Sequence, residues 1–270
     1  MVSDQTGNAP RWITFEQPLN ERTRCFLRLE FLFDQYAHHR RQASSWDARA
    51  ALHTLLDILS VMGRNDFKTD LIKDLCDQRA TLVQLSDHPG VDGTQLDRIL
   101  TEIDHAVARL QATLTRYPAA VLRESDLLGA VMNRFAIPGG TCSFDLPSYH
   151  RWLTRPHEAI IADLDRWYGH LDALEGGIRV YLRLLRESTA STEEEANNGV
   201  FLYTPRAHYH LIRVHIPAAM DVYPETSANH YRVSIRFMHL GDVDDRNSQV
   251  RGPIGFRLQC CAPTRSPAYA

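Results

Sequence analysis

Lysine is almost missing from this chain. Of its 30 basic residues, only Lys68 and Lys73 are lysine and the rest are arginine. Positive excess is missing too: the formal net charge is −3, which gives no support for an electrostatic grip on nucleic acid. No apolar run approaches the ~20 residues that span a bilayer. Residues 1–10 are polar and carry no apolar signal-peptide core, so a cytoplasmic location is expected. The five cysteines (25, 76, 142, 260 and 261) are odd in number, suggest no disulfide framework and contain no Cys-x-x-Cys. What remains is a globular composition, 44% hydrophobic and 23% charged, rich in a cation suited to planar, bidentate recognition of carboxylates. A GC-rich genome would produce the same arginine bias.

Helical periodicity fills the first two thirds. Residues 1–10 read as a disordered extension and 11–19 as a strand. Asn20 then caps a helix reaching about Arg41. Its stripe is Cys25, Leu29, Leu32 and Tyr36, widened by Phe26 and Phe33. Arg28 falls on that stripe by spacing, which leaves two readings: a buried pair with an acid such as Glu16, or an arginine lining a ligand site. Ser44 to Asp47 opens a second helix, closed by Gly63. A third runs from about Asp66 to Leu85 with Phe67, Leu71, Leu75, Leu82 and Leu85 inward. Asp87 to Gly90 reads as a loop. Thr94 with Asp97 is expected to cap a fourth helix. Its apolar positions, Leu96, Leu100, Ile103, Val107, Leu110 and Leu114, step 4, 3, 4, 3, 4, which suits either bundle packing or a dimer seam. Pro118 starts a fifth helix through Val121, Leu122, Leu128 and Val131. Two more follow, from Pro156 through Leu171 and on to about Glu187.

The period then changes to two. Residues 188–199, with Glu193-Glu194-Glu195, read as a solvated linker. Tyr209–Ile216, Tyr231–Met238 and Ile254–Cys260 alternate as antiparallel strands, separated by turn-rich pieces such as Tyr223-Pro224-Glu225. The fold class expected is α+β: a mainly helical bundle domain (20–188) and a smaller antiparallel β-sheet domain (199–261), joined by the N-terminal strand, with a loose tail at 262–270. If the apolar strand faces pack on the helices, Arg232, Arg236 and Arg257 line up on the opposite face. That row is either an anion site or a plain solvated surface; the face of Arg213 cannot be assigned. His208, His210, His215 and Cys260-Cys261 form a weak zinc pattern. Aromatics fall on the wrong face for RNA stacking.

The least repetitive stretch is Arg134–His150, RFAIPGGTCSFDLPSYH. Pro138-Gly139-Gly140 demands a tight turn, and Asp145 with Pro147 is expected to start a helix. The stretch reads as a structural corner, or as a nucleophile turn in which Cys142 is served by His150, giving a small cysteine-dependent hydrolase or transferase. It also resembles the signature of the ZapD family. Phe15–Glu21 followed by Phe26-Leu27-Arg28-Leu29-Glu30-Phe31-Leu32, Ile235-Arg236-Phe237-Met238 and Phe256–Cys261 are similar to that family in the same order. The resemblance implies a helical domain combined with a β domain in a symmetric homodimer. It implies a cytoplasmic protein at the division septum that binds the C-terminal tail of FtsZ and bundles its protofilaments, with no enzymatic activity, cofactor, metal, nucleic acid or membrane insertion. By resemblance, tail binding is assigned to Arg28 and His150, with Arg232 and Arg236 as further carry-overs. Relatives show Arg-Glu-x-Arg before the Pro-Gly-Gly turn, whereas this chain has Arg123-Glu124-Ser125-Asp126; either Arg123 or Arg134 compensates for the missing cation, or tail contact differs here.

Overall fold

The computed structural model describes residues 11–63, 67–86, 90–113, 125–229, 231–241 and 246–263. Expectations for residues 1–10, the loop at 87–89, Leu114, the Pro118–Leu122 helix start, Arg123 and the tail beyond 263 lie outside these. The fold is α+β. The described chain forms two compact units, one of Cys25–Arg183 and one combining the segment up to Arg24 with residues 184–263.

The first unit is helical: α1 (Glu21–Arg40), α2 (Ser45–Met62), α3 (Phe67–Val83), α4 (Gly93–Ala112), α5 (Asp126–Met132), α6 (Pro147–Leu153), α7 (His157–Tyr168) and α8 (Asp172–Glu187). Starts follow capping chemistry. Asn20 Oδ1 accepts from the Thr23 amide at 2.8 Å, and Ser44 Oγ from the Asp47 amide at 3.1 Å. For α4 the cap is Asp92, accepting from the Thr94 and Gln95 amides, so the helix begins before the expected Thr94 cap. The core is aromatic at its joints. The Phe26 ring meets Phe67 at 6.1 Å and Tyr181 at 5.3 Å, while Tyr36 stacks on Tyr168 at 4.1 Å. In α1 the buried residues are Thr23, Cys25, Phe26, Leu29, Phe33 and Tyr36, and Leu32 is only half-buried. This corrects the placing of Arg28. One residue before Leu29 is a turn of about 100° around the axis, and Arg28 is exposed rather than on the packing stripe. In α3 the inward face continues through Gln78 and Thr81, while Leu85 is exposed. In α4, Leu96, Ile103 and Leu110 are buried and Leu100 and Val107 half-buried.

The second unit is a sandwich. One sheet has the order β1 (Trp12–Pro18), β4 (Leu211–Pro217), β8 (Ile254–Cys261), β2 (Thr192–Ala196); the other is β3 (Val200–Tyr203), β6 (Val233–His239), β5 (Val222–Ala228), with β7 (Ser248–Gln249) on the end of β6. All pairings are antiparallel. Here three expectations are overturned. Glu193-Glu194-Glu195 is no linker: it lies in edge strand β2, paired to β8. Tyr223-Pro224-Glu225 lies in β5, an edge strand, where a missing proline amide breaks no ladder. And the apolar strand faces pack on one another: Ile212, Val214 and Ile216, with Ile254, Phe256 and Leu258, meet Val233, Ile235 and Phe237. Arg236 and Arg257 therefore belong to different sheets, and the expected arginine row does not exist.

Arg213, whose face the sequence left unassigned, lies on the outer face of the β1-β4-β8 sheet, opposite Ile212, Val214 and Ile216. Glu16, Arg213 and Gln259 stand in register across it. Arg186 grips both Glu16 oxygens at 2.9 Å, and Arg213 Nε donates to the same carboxylate at 2.8 Å. Glu16 thus has two arginines as partners. Burial pushes its carboxyl up, but the hydrogen bonds and charges of Arg186 and Arg213 outweigh this and hold it below the usual range.

Candidate functional site

The stretch between α5 and α6 is a run of consecutive turns, with no extended piece. Ile137 N donates to Arg134 O, Gly140 N to Ile137 O at 2.9 Å, Cys142 N to Gly139 O and Leu146 N to Cys142 O, the other three at 3.0 Å. Gly139 sits at φ +72°, in the left-handed region that a side chain resists. Arg134 Nη1 clasps the run by donating to Asp145 O at 2.9 Å and to Asp145 Oδ1 at 3.2 Å. The Cys142 thiol donates to the other carboxylate oxygen at 3.2 Å. So Asp145 does not cap α6. Leu146 holds the cap position without a side-chain bond, and Pro147 follows in the first turn.

The start of α2 faces this run. Arg49 Nη1 donates to Thr141 Oγ1 at 2.8 Å and to Thr141 O at 3.2 Å. Its guanidinium carbon lies 4.9 Å from the Tyr149 ring centre and 5.6 Å from that of Trp46. One turn further along α2, His53 meets Phe135 edge-on at 4.7 Å. Burial, and then the Arg49 charge, holds the His53 imidazole below its ordinary pKa. Burial pushes the Tyr149 hydroxyl up to about 12, against the opposing charge of Arg49. Large apolar side chains of this turn and of the α2 start stand in solvent: Phe144 is 82% exposed, Trp46 75% and Ile137 56%.

No hydrogen bond joins Cys142 to His150; the thiol is engaged by Asp145, and His150 is exposed in the last turn of α6. Among the described residues no group of three or more His, Cys, Asp or Glu could hold a metal ion. His215 Nδ1 bonds Thr14 Oγ1 at 2.8 Å, and burial pushes the Cys260 thiol up to about 11. No helix among them is long and apolar enough to cross a membrane.

A family model described as ZapD, cell division protein, matches residues 27–236. The chain belongs to the ZapD family. Among ZapD relatives, Cell division protein ZapD of Bordetella petrii is 38% identical over 251 residues, covering 93% of this chain and 99% of its own. That of Cupriavidus pinatubonensis is 40% identical over 252 residues (92% and 99%), and that of Methylococcus capsulatus 37% over 251 residues (92% and 98%). The chain is therefore a member of a family of cell division proteins, whose name is not that of an enzyme.

Within this ZapD fold the residues singled out by sequence fall in several places. Arg28 is exposed on α1, and His150 is exposed on α6. Arg134 is largely engaged in the clasp on Asp145. Arg232, just before β6, and Arg236, within it, are both exposed; Arg236 is partnered by Glu225 at 3.1 Å. Arg123 lies outside the described residues. Among the described residues Arg28, His150 and Arg232 have no carboxylate partner. Sequence reasoning missed Arg49 and Trp46. The available signal was their i, i+3 spacing at the start of α2, which puts an arginine beside an indole on one helix face.

Proposed function

We propose that this chain binds the C-terminal tail of FtsZ and, as a homodimer with one tail site per subunit, cross-links FtsZ protofilaments at the division septum. The helical unit and the strand unit, the latter including β1 and β2, act as the two domains of that subunit. Action is in the cytoplasm and non-enzymatic, with no cofactor, nucleic acid or membrane insertion involved. One observation carries the reading beyond family membership. Among the described residues exposed Arg28 and Arg232, like the His150 imidazole, have no carboxylate partner, in a chain where Arg40, Arg179, Arg183, Arg186 and Arg213 are all tied to carboxylates. Uncommitted cations are what an anionic peptide needs.

The test is co-sedimentation with polymers of full-length FtsZ and of FtsZ lacking its C-terminal tail. Pelleting with the intact polymer alone is the expected result. Equal pelleting of both polymers, or of neither, overturns the proposal.

A further inference from the structure

We propose that Trp46, Phe144 and Arg49 form a peptide-docking surface at the Pro-Gly-Gly turn, taking a segment that carries an apolar side chain next to a carboxylate. This rests on the proposed function, and the tail of FtsZ is the segment it would take.

The case begins with Arg49. A guanidinium has five N–H donors. One nitrogen of Arg49 is engaged by Thr141, through its hydroxyl and its carbonyl, and both acceptors are neutral. It lies over the rings of Trp46 and Tyr149, and rings attract a cation without cancelling its charge. Among the described residues no carboxylate pairs with it. The nearby acids are committed elsewhere: Asp145 to Arg134 and Cys142, Asp47 to His39 and Ser44. Arg49 is thus half-buried, held in one orientation and still short of an anion. Arg151, exposed two positions after Tyr149, adds to the positive field.

The second observation is independent of charge. Phe144, Trp46 and Ile137 are more than half exposed, and all belong to the turn or to the helix start that faces it. Trp46 lies beside Arg49, and Phe144 and Ile137 belong to the turn that Arg49 bonds at Thr141; exposed large apolar groups next to a fixed polar centre are the anatomy of a binding hot spot. The platform is rigid, because the Arg134–Asp145 clasp and the turn hydrogen bonds define its backbone. A carboxylate is the fitting anion, since the guanidinium fork matches it bidentately. A nucleic acid strand would want several cations tracking successive phosphates, and here one cation sits at the centre.

The experiment uses the full chain and a fluorescently labelled synthetic peptide of the FtsZ C-terminal tail, read by anisotropy. Trp46→Ala and Phe144→Ala remove exposed groups, so far-UV circular dichroism should match wild type. Each is expected to weaken tail binding about tenfold or more. Arg49→Lys, which keeps the charge but loses the fork, should also weaken it. If wild type binds the tail and these variants bind equally well, the docking surface is refuted while the FtsZ reading stands. If wild type fails to bind the tail, the FtsZ reading falls and the docking assignment with it. A labelled single-stranded oligonucleotide that binds wild type and is lost in the same variants would also overturn the proposal, reassigning the surface to nucleic acid.

Discussion

Glu16 shows what a single side chain does in this molecule. Its carboxylate satisfies Arg186 and Arg213 at once on a sheet face that is only about a fifth exposed. Glu16→Gln keeps the shape and removes the charge, so two guanidinium groups lose their anion. The expected loss is about 1.5–3 kcal/mol, the range for hydrogen bonds to charged groups, read by urea unfolding at pH 7. The pH dependence has a definite sign. The folded carboxyl titrates below its ordinary value of 4.5. Its stabilisation is therefore complete above that value and is lost as pH falls through the folded pKa. The gap between wild type and variant should close as acid is added below about pH 4; a gap that stayed constant would deny the pairing. Arg28 gives the opposite outcome. Exposed and without a carboxylate among the described residues, it should tolerate Arg28→Ala with thermal stability within about 0.5 kcal/mol of wild type. Under the proposed function the same variant bundles FtsZ less well. An unfolded Arg28→Ala protein would make the residue structural. The contrast marks how far single residues could be read. Spacing put Arg28 on a stripe because Cys25 and Leu32 are both apolar. The packing stripe is set by Phe26, Leu29 and Phe33, the bulkier set, and rotates Arg28 out.

At the scale of elements, the turn between α5 and α6 depends on one backbone conformation. Gly139 at φ +72° lets the Cys142 amide reach its carbonyl, and no other atom crowds its missing Cβ. Gly139→Ala should therefore cost about 1–2 kcal/mol from backbone strain alone. Chemical denaturation would measure that loss, and the altered turn should also shift the fluorescence of nearby Trp46. A neutral substitution would show that the turn relaxes freely and holds nothing in place. Glycine and proline announced this turn in the sequence. Edge strands announced nothing of the kind. β2 is Thr-Glu-Glu-Glu-Ala and β5 contains Pro224, so neither alternates apolar with polar; both are strands because β8 and β6 offer them an unpaired ladder. The interior strands β4, β6 and β8 were legible from their period. What they pack against was not, since alternation names a buried face without naming its cover. That cover is the second sheet, and it decides which arginines share a surface.

At the scale of the whole molecule, the proposed cross-linking depends on holding two tails at once. A second tail already tethered near the first site sees an effective concentration in the millimolar range, which raises avidity about 10²–10⁴-fold without a new contact. Bundling of FtsZ should then begin at chain concentrations well below the dissociation constant of the free tail peptide. The electrostatic part of each grip is exposed, so it is open to screening. Raising salt from about 0.1 M to 1 M shortens the Debye length from about 10 Å to about 3 Å. The cation–anion attraction at exposed Arg28 fades over that range, while apolar contact at Trp46 and Phe144 does not. Bundling should therefore fall steeply with salt, because it needs two weakened grips together, whereas peptide binding by one site should fall more gently. Light scattering of FtsZ polymers and peptide anisotropy, measured in parallel across the same salt series, give the two slopes. Equal slopes would mean that a single grip suffices and that pairing of subunits adds nothing. A bundling signal indifferent to salt would remove the exposed cations from the mechanism altogether.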